Sequence, residues 1–253
     1  KIVISYIGIG FLSLFANNLT SQTTLDYKNR IHSEISDEFM VVSQNHHATE
    51  VGYEILEQGG NAVDAAVAMG FALAVTLPRA GNLGGGGFML IYDAKTNKIS
   101  SIDYRSAAPK SATSQMYLTD AGVVRFGHLV NAVPGTVAGL VKAHKEHGLL
   151  KLSQVMKPSI KLAQKGIKVS HDLNFVLNFG KQSMLKNPIS KAKFYDGEDP
   201  LKINSLFKQP KLAKTLRLIS NKGDEVFYKG QIAKWISEDS LKNGGLITVA
   251  DLA

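Results

Sequence analysis

Apolar residues recur at helical spacing early in the chain. In residues 48–58 they fall on one face, at Val51, Ile55 and Leu56, and a glycine pair follows. This spacing predicts an amphipathic helix that ends at the glycines. Residues 40–43, MVVS, precede it and predict a short strand.

The next segment, residues 61–76, is apolar on every face. Asn61 occupies an N-cap position and Asp64 follows three residues later, near the positive end of the helix dipole, while Pro78 lies just beyond the other end. A helix without a polar face has to be covered by other elements. We therefore predict a central core helix.

Two segments of strand length follow, at residues 88–93 and 99–103, joined by the turn sequence AKTNK. They predict an antiparallel hairpin. From there the pattern is mostly helical, with predicted helices at residues 134–147, 152–165, 210–220 and 230–243, and Thr248 as the cap of another. Strands with helices packed over them define an α+β fold.

Four consecutive glycines, Gly84 to Gly87, separate the core helix from the hairpin. Glycine in regular structure costs about 0.5–1 kcal/mol relative to Ala, so this run predicts unusual backbone angles or close approaches. A nucleotide-binding loop is disfavoured, because a strand rather than a helix follows the last glycine. A tight turn and an active-site wall remain as alternatives.

Composition excludes some chemistry. The chain has no cysteine, so a disulfide framework, a thiol nucleophile and zinc-thiolate sites are excluded. Its formal charge of +8 comes mainly from lysines spread along helical segments without interleaved aromatic residues, which indicates a solvated surface rather than a nucleic-acid site. No nucleic-acid partner is expected.

The N-terminus carries an apolar run from residue 2 to 16 after Lys1, followed by a polar stretch. The run is shorter than the roughly 20 residues of a membrane span and is typical of a secretory signal. We predict a signal peptide over residues 1–24, with the cleavage site open between residues 17 and 28. An uncleaved anchor and a buried element are the alternatives, and the expected location is periplasmic or extracellular, or membrane-tethered if uncleaved.

Few polar residues are candidates for metal binding or catalysis. His46 and His47 are adjacent, but no third ligand stands at a metal-binding spacing nearby. No serine lies in a G-x-S-x-G motif, and no Ser, His and Asp order stands out. No metal and no cofactor are expected.

Arg105 is the strongest candidate. It follows the second predicted strand in SIDYRSAAP, where a rigid element presents it at an edge, and its guanidinium can bind a carboxylate through two parallel hydrogen bonds. The alternative is a structural ion pair with Asp103 or another acid.

At these segments the sequence resembles the γ-glutamyltransferases, also called γ-glutamyltranspeptidases or glutathione hydrolases. The resemblance spans about residues 38–253 and is most specific in GGNAVDAAVA and GNLGGGGFM, with SIDYRSAAP and VPGTVAGLVKAHKEHG after them. It implies an N-terminal-nucleophile hydrolase, an αββα sandwich of which this chain is the N-terminal, helix-rich part.

The resemblance also implies a precursor that cuts itself into a large and a small subunit. The nucleophile is then the N-terminal Thr of the small subunit, with its own α-amino group as base. No catalytic residue is therefore expected in this chain, whose residues 25–253 form the first part of the large subunit and stop before the self-cleavage site. The chain alone is expected to be inactive.

Arg105 matches the family arginine that binds the α-carboxylate of the γ-glutamyl group, and Gly84 to Gly87 match a loop with a structural role. Arg79 departs from the family pattern, and we interpret it as surface charge. The implied substrate is a γ-glutamyl compound such as glutathione, and the acceptor is water, an amino acid or a peptide. Alternatives are a poly-γ-glutamate transpeptidase, a β-lactam acylase and a noncatalytic truncated remnant.

Overall fold

A computed structural model describes residues 35–253 apart from residues 120, 121 and 125. The predicted signal peptide at residues 1–24 lies outside the described residues. The chain divides into two compact units, residues 1–38 and residues 39–253, and the following description concerns the second.

Helices make up most of the second unit. They are α1 His46–Glu57, α2 Ala62–Thr76, α3 Thr136–His147, α4 Leu152–Lys165, α5 His171–Phe179, α6 Lys181–Met184, α7 Pro188–Phe194, α8 Pro210–Lys222, α9 Glu225–Tyr228, α10 Gln231–Lys242 and α11 Val249–Leu252. Two short 3-10 helices lie at Ser114–Tyr117 and His128–Val130.

The strands are few and mostly short. They are β1 Phe88–Asp93, β2 Lys98–Asp103, β3 Leu118–Thr119, β4 Gly122–Val123, β5 Ile167–Lys168, β6 Tyr195–Asp196, β7 Asp199–Pro200 and β8 Leu206–Phe207. They pair antiparallel as β1 with β2, β3 with β4, β5 with β8 and β6 with β7. The mixed α+β class predicted from the sequence is thereby confirmed.

The caps of the first two helices explain where they begin. The Asn45 side chain accepts hydrogen bonds from the N–H groups of His47 and Ala48, so α1 begins two residues before the predicted start. In α2, Asn61 and Asp64 form a reciprocal capping box, and the helix spans the predicted residues.

Helix α2 is the centre of the main core, as its apolar sequence predicts. It packs against α1, α3 and α4, and α4 in turn packs against α8. The completely buried side chains at this junction include Phe71, Ile55, Met156 and Leu216. A smaller core under α5 contains Leu173, Leu177, Tyr195 and Phe207.

Most predicted elements are confirmed within one or two residues. The strand at residues 40–43 is wrong, because this segment pairs with no other strand in the described part of the chain. Ser43 instead turns the chain into α1: its hydroxyl donates to the Asn45 carbonyl at 2.8 Å, and its N–H donates to Thr49 Oγ1 at 3.1 Å.

Helices α5 to α7 were not predicted, because they are short and Gly180 and Pro188 interrupt the apolar period. Among the helices that the structure describes, none is both long and apolar enough to cross a membrane.

Candidate functional site

The glycine run leads directly into the hairpin. Gly87 and Tyr104 exchange backbone hydrogen bonds, from Gly87 N to Tyr104 O at 3.3 Å and from Tyr104 N to Gly87 O at 3.0 Å. They extend the β1–β2 ladder by one pair beyond Phe88 and Asp103. The last glycine therefore lies opposite the residue that precedes Arg105.

Helix α3 begins against the same loop. The N–H groups of Gly135 and Thr136 both donate to the Gly85 carbonyl, at 2.8 Å and 3.0 Å. Just before this, Val133 pairs with Ala107 as an isolated antiparallel bridge. The glycine run, the segment after Arg105 and the start of α3 are thus joined through backbone groups.

Tyr228 of α9 supports the start of α3. Its hydroxyl donates to the Pro134 carbonyl at 2.9 Å and accepts from the Ala138 N–H at 3.0 Å. Desolvation by burial is the main cause that raises the pKa of Tyr228 to about 12, so the phenol stays protonated at neutral pH.

Glycines surround Tyr104 closely. A Cβ added to Gly87 would lie 2.7 Å from the Tyr104 ring, and one added to Gly139 would overlap the same ring. A Cβ on Gly135 would overlap the Tyr104 carbonyl oxygen. Burial also raises the pKa of Tyr104. The close packing of the Tyr104 ring and carbonyl against these glycines fixes the backbone before Arg105.

The four positions of the run differ in how strictly their surroundings require glycine. None of them has a backbone φ in the left-handed region, so unusual angles do not explain the run. Gly86 needs the space, because an added Cβ would lie 2.7 Å from the Tyr104 carbonyl oxygen and 2.9 Å from the Arg105 carbonyl carbon. At Gly84 the nearest atom is Asn82 Oδ1 at 3.6 Å, an ordinary contact.

This difference gives a prediction within one loop. Gly86→Ala should lower the free energy of unfolding by about 1–2 kcal/mol, because its Cβ meets backbone that cannot rotate away. Gly84→Ala is the matched control and should change it by less than about 0.5 kcal/mol. Urea unfolding of the two variants measures the difference, and equal midpoints would contradict the close approach.

Arg105 itself is exposed at the end of the hairpin. Its backbone N–H donates to Asp103 Oδ1 at 2.9 Å. Its guanidinium forms no ion pair within 4.0 Å among the residues described here, so the structural pair with Asp103 or another acid is not formed. The Asp103 carboxylate holds the Arg105 backbone instead and leaves the side chain available for a ligand.

Two residues of this arrangement have roles that the sequence did not predict. Asp103 was expected only as an alternative ion-pair partner of the Arg105 side chain, and nothing in the spacing of Tyr104 distinguished it from an ordinary strand-end residue. One signal was present, since Gly135 and Gly139 lie four residues apart at the start of α3, where Gly135 leaves room for the Tyr104 carbonyl and Gly139 for the Tyr104 ring.

The other candidate residues do not join this site. His46 and His47 lie in the first turn of α1, and His47 Nδ1 is 3.2 Å from Glu50 Oε2. Within the described residues, no group of three His, Cys, Asp or Glu side chains could hold a metal ion. Arg79 Nε lies 2.8 Å from Asp172 Oδ2, and this ion pair links the loop that follows α2 with helix α5.

A cleft of about 520 Å³ opens beside the first part of the glycine run. Its walls come from the loop, from the segment before α3 and from helices α8 to α10. The lining is mainly apolar and includes Leu83, Pro134, Phe227, Ile232 and Ile247. The loop that carries the glycine run thus contributes Leu83 and Gly84 to an apolar cleft as well as contacting the segment that carries Arg105.

Comparison with known proteins gives consistent matches. Residues 48–253 match the family model described as Gamma-glutamyltranspeptidase. The glutathione hydrolase proenzyme of Escherichia coli is 46% identical over 220 residues, which cover 85% of this chain and 38% of the relative. That of Pseudomonas aeruginosa is 44% identical, with 84% and 38% covered.

A solved structure agrees with these matches. The crystal structure of Helicobacter pylori gamma-glutamyltranspeptidase has a TM-score of 0.83 and 42% sequence identity, and the match covers 87% of this chain and 65% of that chain. The chain thus spans about two fifths of the length of these curated relatives.

Proposed function

The chain belongs to the gamma-glutamyltranspeptidase family, and from this premise we propose that its protein cleaves the γ-glutamyl bond of glutathione and related compounds. The γ-glutamyl group then passes to water, an amino acid or a peptide. The observation that carries the proposal is the Arg105 guanidinium, exposed beside the glycine run without an acidic partner among the described residues.

Arg105 fits the α-carboxylate of a γ-glutamyl group. A guanidinium presents two parallel N–H donors that match the two oxygens of a carboxylate. The Asp103 carboxylate and the packing of Tyr104 hold the backbone from which the Arg105 side chain projects. A fixed α-carboxylate places the γ-carbonyl at a defined distance from Arg105, which is the positioning that an attacking nucleophile needs.

The nucleophile in this proposal is the N-terminal Thr of a small subunit cut from the same precursor. Its hydroxyl attacks the γ-carbonyl while its α-amino group takes the proton, and this proton passes to the leaving amine as the γ-glutamyl amide bond breaks. The acceptor then displaces the threonine from the γ-glutamyl ester and takes the γ-glutamyl group. This chain supplies substrate binding and the scaffold. The proposal includes export, which the apolar run at residues 2–16 supports.

The exposed apolar face of the hairpin is an argument for a partner subunit and for the αββα sandwich. Phe88, Leu90 and Tyr92 point to one face of β1 and are 64%, 78% and 62% exposed, and Ile99 opposite Tyr92 is 74% exposed. A two-stranded sheet with a bare apolar face is marginal in water. We propose that strands of the small subunit extend and cover this hairpin.

A substrate panel on the intact protein tests the proposed reaction. We expect glutamate release from glutathione and from a γ-glutamyl anilide, and roughly tenfold or greater loss of kcat/KM when the α-carboxylate of the anilide is blocked as a methyl ester. Poly-γ-glutamate and a cephalosporin amide are the comparison substrates. Preference for either of them over glutathione would replace the proposed substrate.

The 253-residue chain alone gives a separate prediction. It is expected to release no product from a γ-glutamyl anilide, because the proposed nucleophile lies outside it. The assay compares the chain alone with the intact protein at equal concentration. Turnover by the chain alone would mean that the nucleophile is one of its own residues.

A further inference from the structure

A second groove lies far along the chain from Arg105, where α7 faces the connection between β8 and α8. It has a volume of about 520 Å³. Its walls are Pro188, Ile189 and Ala192 of α7 on one side and Pro210 on the other, so they are apolar. We call it the lysine groove because Lys193, Lys208 and Lys211 also line it.

Among the described residues, the three lysines have no acidic counter-charge in the groove, and the one favourable contact that the structure shows for their ammonium groups is that of Lys193 Nζ over the Phe194 ring, 5.7 Å from its centroid. No acidic residue lines the groove, and none of the three ammonium groups has a carboxylate within 4.0 Å in the part of the chain that the structure describes. Desolvation by the groove wall, and then the charge of Lys211, lower the pKa of Lys193. The charge of an anion between them would offset both effects, because it favours the protonated ammonium groups.

Hydrogen bonds and aromatic packing hold the backbone that carries the lysines. Gln209 lies between two of them and is 4% exposed, its N–H donates to the Ala163 carbonyl at 2.8 Å, and its side-chain Nε2 donates to the Val75 carbonyl at 2.8 Å. On the other wall, Phe194 packs on Phe207 with ring centroids 5.5 Å apart. Both walls are therefore tied to buried structure.

The groove combines positive charge and exposed apolar walls in one place. Three ammonium groups favour a phosphate or carboxylate, whereas exposed apolar walls favour a ligand body that excludes water from them. Ile189 is 72% exposed, which leaves a large apolar surface for such a body. We propose that the lysine groove binds a small organic anion that carries a phosphate or carboxylate on an apolar body.

Direct binding to the intact protein tests this proposal. The probes are 1-naphthyl phosphate and 1-naphthoate. The controls are inorganic phosphate, which lacks the apolar ring, and 1-naphthol, which lacks the anionic group. Calorimetry gives Kd for each compound. We expect at least one naphthyl anion to bind about tenfold or more tightly than either half, and more weakly as salt rises. The phosphate and carboxylate arms identify the preferred head group.

Variants locate the site. Lys193→Gln and Lys211→Gln should each weaken binding of the naphthyl anion about three- to tenfold, and Ile189→Ser should weaken it by a similar factor. Lys202→Gln, an exposed lysine outside the groove, is the matched control and should leave Kd unchanged. Unchanged urea-unfolding midpoints in all four variants serve as the check on folding.

Two results would overturn the proposal. One is the absence of binding of both naphthyl anions up to about 10 mM, which is weaker than any specific small-ligand site. The other is the same loss of affinity in Lys202→Gln as in Lys193→Gln, because binding would then follow net charge alone. Neither result depends on the reaction at Arg105.

Discussion

Arg105→Lys is expected to lower kcat/KM for γ-glutamyl substrates about 10- to 100-fold in the intact protein, a loss of roughly 1.5–3 kcal/mol of transition-state binding. Lysine keeps the positive charge but presents a single ammonium group in place of the two parallel donors. Because the Arg105 side chain forms no ion pair among the described residues, the change should leave stability nearly unaltered. Steady-state kinetics with a γ-glutamyl anilide gives the value.

Arg79→Lys is the matched control for this experiment. Arg79 also presents a guanidinium to a carboxylate, but its partner is Asp172, and both side chains are partly exposed, at 34% and 47%. Loss of such a surface pair costs little, so kcat/KM should stay within about twofold. An unchanged kcat/KM in Arg105→Lys would remove Arg105 from the substrate site.

Asp64→Ala is expected to cause the largest loss of stability, about 2–4 kcal/mol in the free energy of unfolding. Asp64 is completely buried, and its Oδ2 accepts hydrogen bonds from the N–H groups of Asn61, Leu149 and Leu150 at 3.0, 3.0 and 3.3 Å. Alanine leaves these donors without their acceptor and also removes the capping box of α2.

Asp64→Asn refines the same test. The other oxygen, Oδ1, has no hydrogen-bond partner among the described residues and lies 3.7 Å from His144 Nε2. An asparagine can keep the accepting oxygen and place its amide nitrogen at the Oδ1 position, so its cost should be clearly smaller than that of alanine.

Urea unfolding of the intact protein gives both values, and Asp172→Ala controls for loss of a partly exposed carboxylate. Asp172→Ala should cost less than about 1 kcal/mol. Equal midpoints for Asp64→Ala and Asp172→Ala would show that the buried carboxylate does not hold the α3–α4 connection to α2.

Local features of the structure followed from the sequence because their causes are local. A helix repeats every 3.6 residues and is capped by a side chain within its first turn, so α2, α4 and the Thr248 cap could be predicted from neighbouring residues. The hairpin followed for the same reason, since its turn and both strands lie within one short segment.

The same locality explains the failures. Residues 40–43 have strand composition, but a strand exists only through a partner, and no described segment pairs with them. Helices α5 to α7 are too short for periodicity to reveal, and packing on the smaller core stabilises them instead.

The sequence by itself thus determined the longer helices α1 to α4, α8 and α10, the hairpin, the presence of a constrained glycine run and Arg105 as the residue to test. Only the tertiary structure decided that Gly86 is constrained whereas Gly84 is not, that Asp103 holds the Arg105 backbone and leaves its guanidinium unpaired among the described residues, and that Asp64 joins α2 to the start of α4. These facts depend on distances between individual atoms, and the contact of Asp64 with Leu149 joins segments 85 residues apart along the chain. Packing sets such distances, and neither composition nor periodicity encodes them.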